Sequence, residues 1–310
     1  MAKPLRKVDS VLGVPYVTRL FPPPANGTHR YFDGADNYPF EPNATLHSPQ
    51  NAWWLAEYSL LTYCEENKVN QFLTEHCHGQ EFRLTWLDAP KTNTQGFALA
   101  TPDYVVIAFR GTEFPRPTTV LKSPSKIRDI MDDIQTDIQR LPPTKTAHGS
   151  PVFEFPVHPG FAAALQSVWA QVQDVIAYVG NKPIWLTGHS LGGAIASLLA
   201  YHIPERVAGL YTFGSPCVGN SEFVKAFNTK KNLPERTYRY VHGNDAIANG
   251  LPLLGMDYHH VGQLKQLDAG LRRGVMAQIV NLAIVHTVKF NQFDHAPIIY
   301  SYECWNAIPA

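Results

Sequence analysis

The sequence predicts an α/β protein: a mainly parallel sheet with helices on both faces. Three observations carry that expectation. From Tyr104 onward, apolar runs of strand length alternate with longer segments of helical spacing, the order a parallel sheet requires. The run Tyr104-Val105-Val106-Ile107-Ala108-Phe109 is continuously apolar, as strands covered on both faces are. And 310 residues that are 45% hydrophobic and 17% charged can bury a large core, whereas disorder needs low hydrophobicity and high charge.

Taken in order, residues 1–48 are rich in Pro, Asn and Gly, as in Phe21-Pro22-Pro23-Pro24 and Asn26-Gly27, and read as an irregular arm wrapping a domain. Ser48-Pro49 is an N-cap followed by proline at the first helical position. Trp54, Leu55, Tyr58, Leu61 and Thr62 then recur at helical spacing, which predicts a helix from Pro49 to Glu66. Phe82 to Leu87 alternates as a half-buried strand, and Tyr104 to Phe109 follows as a buried one. A helix from Gly160 to Val179 presents Phe161, Leu165, Val168, Trp169, Val172, Val175, Ile176 and Val179 as its inner stripe. Then come strand Ile184 to Thr187, helix Leu191 to His202, strand Val207 to Phe213, helix Ser221 to Phe227, strand Thr237 to Val241 and a helix from Leu271 to Phe290. With no internal repeat and no linker-like composition, a single domain over 1–310 is expected.

Composition excludes some classes of function. Lysines plus arginines number 26 and aspartates plus glutamates 26, a formal net charge of zero, which argues against nucleic acid as a partner because that needs a basic surface. Met-Ala-Lys-Pro-Leu-Arg-Lys opens the chain without the apolar stretch of a secretory leader, so a cytoplasmic protein, or one exported by another route, is expected. The uncharged stretch from Pro183 to Pro204 is long enough for a membrane span, but Gly188, His189, Ser190, Gly192, Gly193 and His202 interrupt it; a buried strand and a buried helix explain the same apolarity. Cys64, Cys77, Cys217 and Cys304 show no regular spacing, consistent with free thiols or with one adventitious disulfide.

The sharpest chemical signal is Gly188-His189-Ser190-Leu191-Gly192, between an expected strand and an expected helix. A Gly-x-Ser-x-Gly in that context is a nucleophile elbow. Glycines flank the serine because backbone meets backbone in the tight turn, and the serine hydroxyl is set at a helix N-terminus, where an oxyanion is favoured.

At this point the chain resembles the class 3 (fungal-type) lipase family of the alpha/beta-hydrolase superfamily. Val105-Val106-Ile107-Ala108-Phe109-Arg110-Gly111-Thr112 is similar to its oxyanion strand and loop. Val157-His158-Pro159-Gly160-Phe161 is similar to the segment leading into its pre-elbow helix. Thr187-Gly188-His189-Ser190-Leu191-Gly192-Gly193-Ala194 is similar to its elbow, and Phe213-Gly214-Ser215-Pro216-Cys217-Val218-Gly219-Asn220 to the loop that follows. The four segments occur in the family's order, within a match from about Pro49 to Tyr300. The family usually has arginine where Cys217 stands, so any role of that arginine is absent. The resemblance implies an alpha/beta-hydrolase fold and ester hydrolysis without cofactor or metal.

A serine hydroxyl is a poor nucleophile until a histidine takes its proton and a carboxylate orients the histidine. In this superfamily the chain order is serine, acid, histidine. Asp245, Asp257, Asp268 and Asp294 are therefore candidate acids, and Asp245, just past the strand Thr237 to Val241, matches the family segment, although Ala248-Asn249-Gly250-Leu251-Pro252 lengthens the loop before its proline. His259, His260, His286 and His295 are candidate bases; His295, in Asp294-His295-Ala296-Pro297-Ile298-Ile299-Tyr300, resembles the family's terminal histidine followed by a short helix with an aromatic. The oxyanion donors implied are the backbone of Leu191, next after the nucleophile, and of Thr112. His189 shares the elbow with Ser190, so its side chain is expected to point away and pack beneath it.

Glu113 to Ile130 carries Phe114, Val120, Leu121, Ile127 and Ile130 among prolines and polar groups, where the family's lid begins, and a lid is expected there; Asp133 resembles the family's lid aspartate. Thr74-Glu75-His76-Cys77-His78 clusters metal-ligand types but has no partner pair at zinc spacing, so a solvent loop is expected. Together these residues imply a serine carboxylic-ester hydrolase of lipase type, with a lipid or small ester as substrate and transient contact with a lipid interface. An esterase on soluble or aryl esters and a phospholipase share the same core and stay open; a non-catalytic hydrolase-fold binding protein is disfavoured by the complete triad.

Overall fold

Seven strands form one sheet in which spatial order follows chain order. The computed structural model describes residues 3–6, 10–11, 14–15, 29–76, 81–112, 151–243, 245, 247–249, 257–267 and 294–309. The expected lid at 113–130, Asp133, Asp268, Cys77, His78 and His286 with its helix lie outside them. A two-residue pair, β1 (Ser10–Val11) and β2 (Val14–Pro15), stands apart from the sheet.

The sheet comprises β3 (Arg83–Ala89), β4 (Thr94–Ala100), β5 (Val105–Phe109), β6 (Ile184–His189), β7 (Val207–Phe213), β8 (Thr237–His242) and β9 (Gln263–Leu267). The pairs β3–β4 and β4–β5 are antiparallel, and β5 through β9 pair in parallel, so the sheet is mainly parallel as the alternating pattern predicts. β4 has no counterpart in that pattern, because only Phe97–Ala100 is apolar. Gly96 sits in it for want of space: a Cβ there would overlap the carbonyl oxygen of Ala108 on the neighbouring strand.

Side chains alternate across the sheet and feed two cores. Val105, Ile107 and Phe109 join Ile184, Leu186 and Leu210 on one face. That face is covered by α3 (Pro159–Val179), α4 (Leu191–His202) and α5 (Ser221–Asn228). Phe161, Leu165, Val168 and Val172 of α3 are fully buried, each contributing about 1.5–3 kcal/mol relative to exposure. Val106, Ala108, Trp185, Tyr211 and Phe213 face the other way, towards α1 (Pro49–Leu61), α2 (Glu66–His76) and α6 (Pro297–Ala307).

Ser48 caps α1 by accepting from the Asn51 N–H at 3.1 Å, with Pro49 in the first turn. The helix ends at Leu61 rather than continuing to Glu66. Thr62, Tyr63 and Cys64 are weaker helix formers, and the chain tightens there, Tyr63 N–H donating to Leu60 O and Cys64 N–H to Leu61 O. Glu65 then opens α2, which buries Val69 and Leu73 and takes in Thr74, Glu75 and His76, residues the sequence assigned to a solvent loop.

One carboxylate lies wholly inside this face. Glu57 of α1 accepts from Phe32 N–H at 3.0 Å and from the Ser301 hydroxyl, and pairs with His29 at 3.1 Å and Arg6 at 3.5 Å. Burial pushes its carboxyl up, but His29, Arg6 and Ser301 outweigh that and bring it down to about 2. Glu57 thereby ties the segment before α1 to α6. The stretch Pro183 to Pro204 resolves into β6 and α4, and among the described residues no helix is long and apolar enough to cross a membrane. Cys64, Cys217 and Cys304 are buried and free.

Candidate active site

β6 ends at His189 and α4 begins at Leu191, leaving Ser190 alone to make the turn. Its φ of 54° and ψ of −126° place a non-glycine residue in a sparsely populated region costing about 1–3 kcal/mol. The neighbours explain how the turn is held. A Cβ at Gly188 would overlap the Gly192 backbone, and one at Gly192 would overlap the carbonyl of Phe109 in β5. The Ser190 N–H donates to Phe213 O at 2.9 Å.

The strained turn presents the Ser190 hydroxyl to His295, whose Nε2 lies 3.0 Å from Oγ. His295 Nδ1 lies 2.8 and 3.0 Å from the two oxygens of Asp245. A carboxylate only accepts, so Nδ1 carries the ring proton and Nε2 is free to accept from serine. Asp245 follows β8, is fully buried, and accepts further from Ile247 N–H at 2.9 Å, Ala248 N–H at 3.2 Å and the Tyr300 hydroxyl at 2.5 Å. The last of these comes from α6, five residues beyond His295. Tyr300 also accepts from His242 N–H at 3.1 Å, and burial, reinforced by Asp245, holds its phenol protonated.

The structure thus brings Ser190, His295 and Asp245 into one hydrogen-bonded line. The other candidates among the described residues lie elsewhere. His260 bonds the Ala248 carbonyl oxygen at 2.6 Å, and His259 pairs at the surface with Asp257 at 2.8 Å. Asp294 faces His242: its Oδ1 is 3.3 Å from His242 Nδ1, close enough for an ion pair but without the alignment of a hydrogen bond. Leu191 opens α4, so its N–H stands at the helix N-terminus beside the serine. Thr112 follows Gly111, which lies against the elbow: a Cβ at Gly111 would come 2.7 Å from His189 O and 3.2 Å from Ser190 Cβ.

Beneath the serine, His189 is fully buried, as its place in the elbow predicts. Its Nδ1 is 2.8 Å from the Tyr63 hydroxyl and its Nε2 is 2.7 Å from the His295 carbonyl oxygen. Burial first, then the neighbouring His295, keep its pKa well below the usual histidine value. Cys217, at the family's arginine position, is buried with its thiol pushed up to about 12, chiefly by burial, and so is no rival nucleophile. Among the described residues no group of three or more His, Cys, Asp or Glu side chains could hold a metal ion. Sequence reasoning missed Tyr63 and Tyr300. For Tyr300 there was a signal, the aromatic in the helix after His295; Tyr63, a lone tyrosine at a helix end, offered none.

Residues 106–254 match the sequence model of the family described as Lipase (class 3). Secreted mono- and diacylglycerol lipase 1 of Fusarium solani is 37% identical over 120 residues, covering 37% of this chain and 35% of that protein. Phospholipase A1-II 1 of Oryza sativa subsp. indica is 29% identical over 189 residues, covering 54% of this chain and 43% of that protein. The chain thus spans only about a third of the length of the curated mono- and diacylglycerol lipases it matches. Among solved structures, the mono- and diacylglycerol lipase of Aspergillus oryzae superposes with a TM-score of 0.52 at 24% identity, over 70% of this chain and 79% of that one. The Lip2 lipase of Yarrowia lipolytica gives 0.53 at 19%, over 73% and 81%. The structural likeness is one of fold, the alpha/beta-hydrolase fold.

Proposed function

Over residues 106–254 the chain belongs to the class 3 lipase family, and from that premise we propose that it is a serine carboxylic-ester hydrolase of lipase type acting through an acyl-enzyme. We read it as one hydrolase domain, since α1 and α6 pack on the same face of one sheet. The observation that carries the activity is the line Ser190 Oγ, His295 Nε2, His295 Nδ1, Asp245, with contacts of 3.0 and 2.8 Å on a carboxylate that is fully buried.

Ser190 Oγ attacks the ester carbonyl carbon as His295 Nε2 takes the hydroxyl proton. The imidazolium so formed is stabilised by Asp245, which stays ionised. The oxyanion accepts from the N–H groups of Leu191 and Thr112, one such donor being worth about 3–4 kcal/mol. Collapse breaks the bond to the alcohol, which leaves with the proton from His295; water then repeats the sequence on the acyl-serine and releases the acid.

For the substrate we propose an acylglycerol at a lipid interface, in keeping with the mono- and diacylglycerol lipase named among the relatives. The longer alignment to a phospholipase A1 supports a second reading, a glycerophospholipid ester. A fluorophosphonate probe should label Ser190, and Ser190→Ala should lower ester hydrolysis by about 10⁴-fold or more with the fold intact. Near wild-type turnover in that variant would overturn the assignment. Parallel assays on emulsified diacylglycerol, phosphatidylcholine vesicles and a soluble p-nitrophenyl ester series separate the two readings, with the highest kcat/KM expected on the acylglycerol.

A further inference from the structure

The polar chain beneath the elbow has a direction. A carbonyl oxygen can only accept, so at 2.7 Å the His189 Nε2 must carry the ring hydrogen and donate it to His295 O. The ring is buried and neutral, so it has one hydrogen and Nδ1 is bare. The partner at Nδ1, 2.8 Å away, is therefore a donor: the Tyr63 O–H. Hydrogen bonds thus run from Tyr63, at the end of α1, through His189 to the main chain of the residue whose ring faces Ser190. The His189 and His295 rings lie 4.5 Å apart, and the Tyr63 hydroxyl sits where a side chain at Gly111 would fall, directly before Thr112.

We propose that Tyr63 is a positioning residue which, by fixing the tautomer of His189, holds the His295 backbone at the height that sets its ring 3.0 Å from Ser190. The inference rests on the acyl-enzyme reading above. A neutral imidazole has two tautomers of similar energy, and only the Nε2–H form can bond His295 O. Tyr63 selects that form, because its hydroxyl rewards a bare Nδ1. Without the hydroxyl, Nδ1 is a buried acceptor with no donor, and the ring gains by turning or by moving its proton, either of which releases the His295 carbonyl. Misplacement of a reacting group by about 1 Å can cost roughly 100-fold in rate, so a partial loosening is expected to cost about tenfold.

The test is Tyr63→Phe, which keeps the ring and removes one oxygen. On a soluble short-chain ester kcat should fall about tenfold with KM within twofold, and the ¹⁵N shifts of the His189 ring should depart from the pure Nε2–H pattern. An unchanged kcat overturns the proposal. So does a rise in KM with kcat preserved, since that marks a substrate contact. If the variant does not fold, the wild-type protein decides: the Nε2–H tautomer at His189 supports the proposal and the Nδ1–H tautomer overturns it. Failure of the acyl-enzyme reading would look different, as turnover surviving in Ser190→Ala whatever Tyr63 does.

Discussion

Asp245 is held as firmly as any side chain in the site, and its partners divide by function. Ile247 and Ala248 N–H groups fix one oxygen from its own loop, whereas Tyr300 reaches the other from α6. Replacing Tyr300 by phenylalanine leaves that oxygen and the His242 N–H each short of a buried partner. Tyr300→Phe is expected to lower stability by about 1–3 kcal/mol, seen as a lower urea midpoint, and to reduce kcat with little change in KM. Retention of both values would make the tyrosine a bystander. The sequence made Ser190 visible through its Gly-x-Ser-x-Gly pattern, whereas chain order only narrowed the acid and the base to four candidates each, and resemblance to the lipase family singled out Asp245 and His295. It marked Tyr300 only as an aromatic in the helix after His295, because a hydroxyl on an apolar helix looks like any packed aromatic until its acceptor is known, and it gave no sign of Tyr63, just past the end of α1.

At the scale of elements the site depends on three backbones meeting without side chains between them. Gly188 and Gly192 let β6 fold back into α4, and Gly192 also lets the first turn of α4 touch the end of β5. Gly192→Ala would drive a methyl into the Phe109 carbonyl, and separating the helix from the strand displaces both Leu191 and the approach to Thr112. The variant is expected to lose about 1–3 kcal/mol or more in urea unfolding, and most of its turnover, with loss of stability alone being the contrary result. Where elements were legible, the pattern was unbroken: α3 buries most of the stripe its spacing implies, and α4 and β7 keep the bounds their apolar runs imply. Where periodicity misled, the cause was local. Tyr58, Leu61 and Thr62 kept the helical spacing while weak helix formers ended α1, and glycine and polar residues at 94–96 concealed β4.

For the whole molecule, acid is the revealing perturbation. His47, His158, His202 and His260 are each brought down from 6.5 to about 4, burial being the main cause throughout. A histidine whose folded pKa lies below its unfolded one binds protons preferentially when unfolded, so stability falls as pH drops from about 6.5 and levels off once the folded form protonates near 4. Glu57 behaves differently. Its depressed folded value contributes stability that is complete above about 4.5 and lost on descent towards 2. The urea midpoint should therefore drop between pH 7 and 5, before Glu57 is affected; a flat midpoint across that interval would contradict it.

Strand order carries a consequence for how the molecule comes to be folded. Each strand of the sheet pairs with its neighbours in sequence, so the sheet can grow by addition as the chain emerges, without waiting for a distant partner. The two faces do not mature together. α3, α4 and α5 lie between the strands they cover and can dock as they are made, but the face bearing α1 is closed by α6, with the whole sheet intervening in sequence. Until α6 arrives, Trp53 lacks Trp305, Phe213 lacks Tyr300 and Glu57 lacks Ser301. His295 and Tyr300 come with α6 or just before it, so the Ser190–His295–Asp245 line and the cover over Glu57 would be completed in the same step.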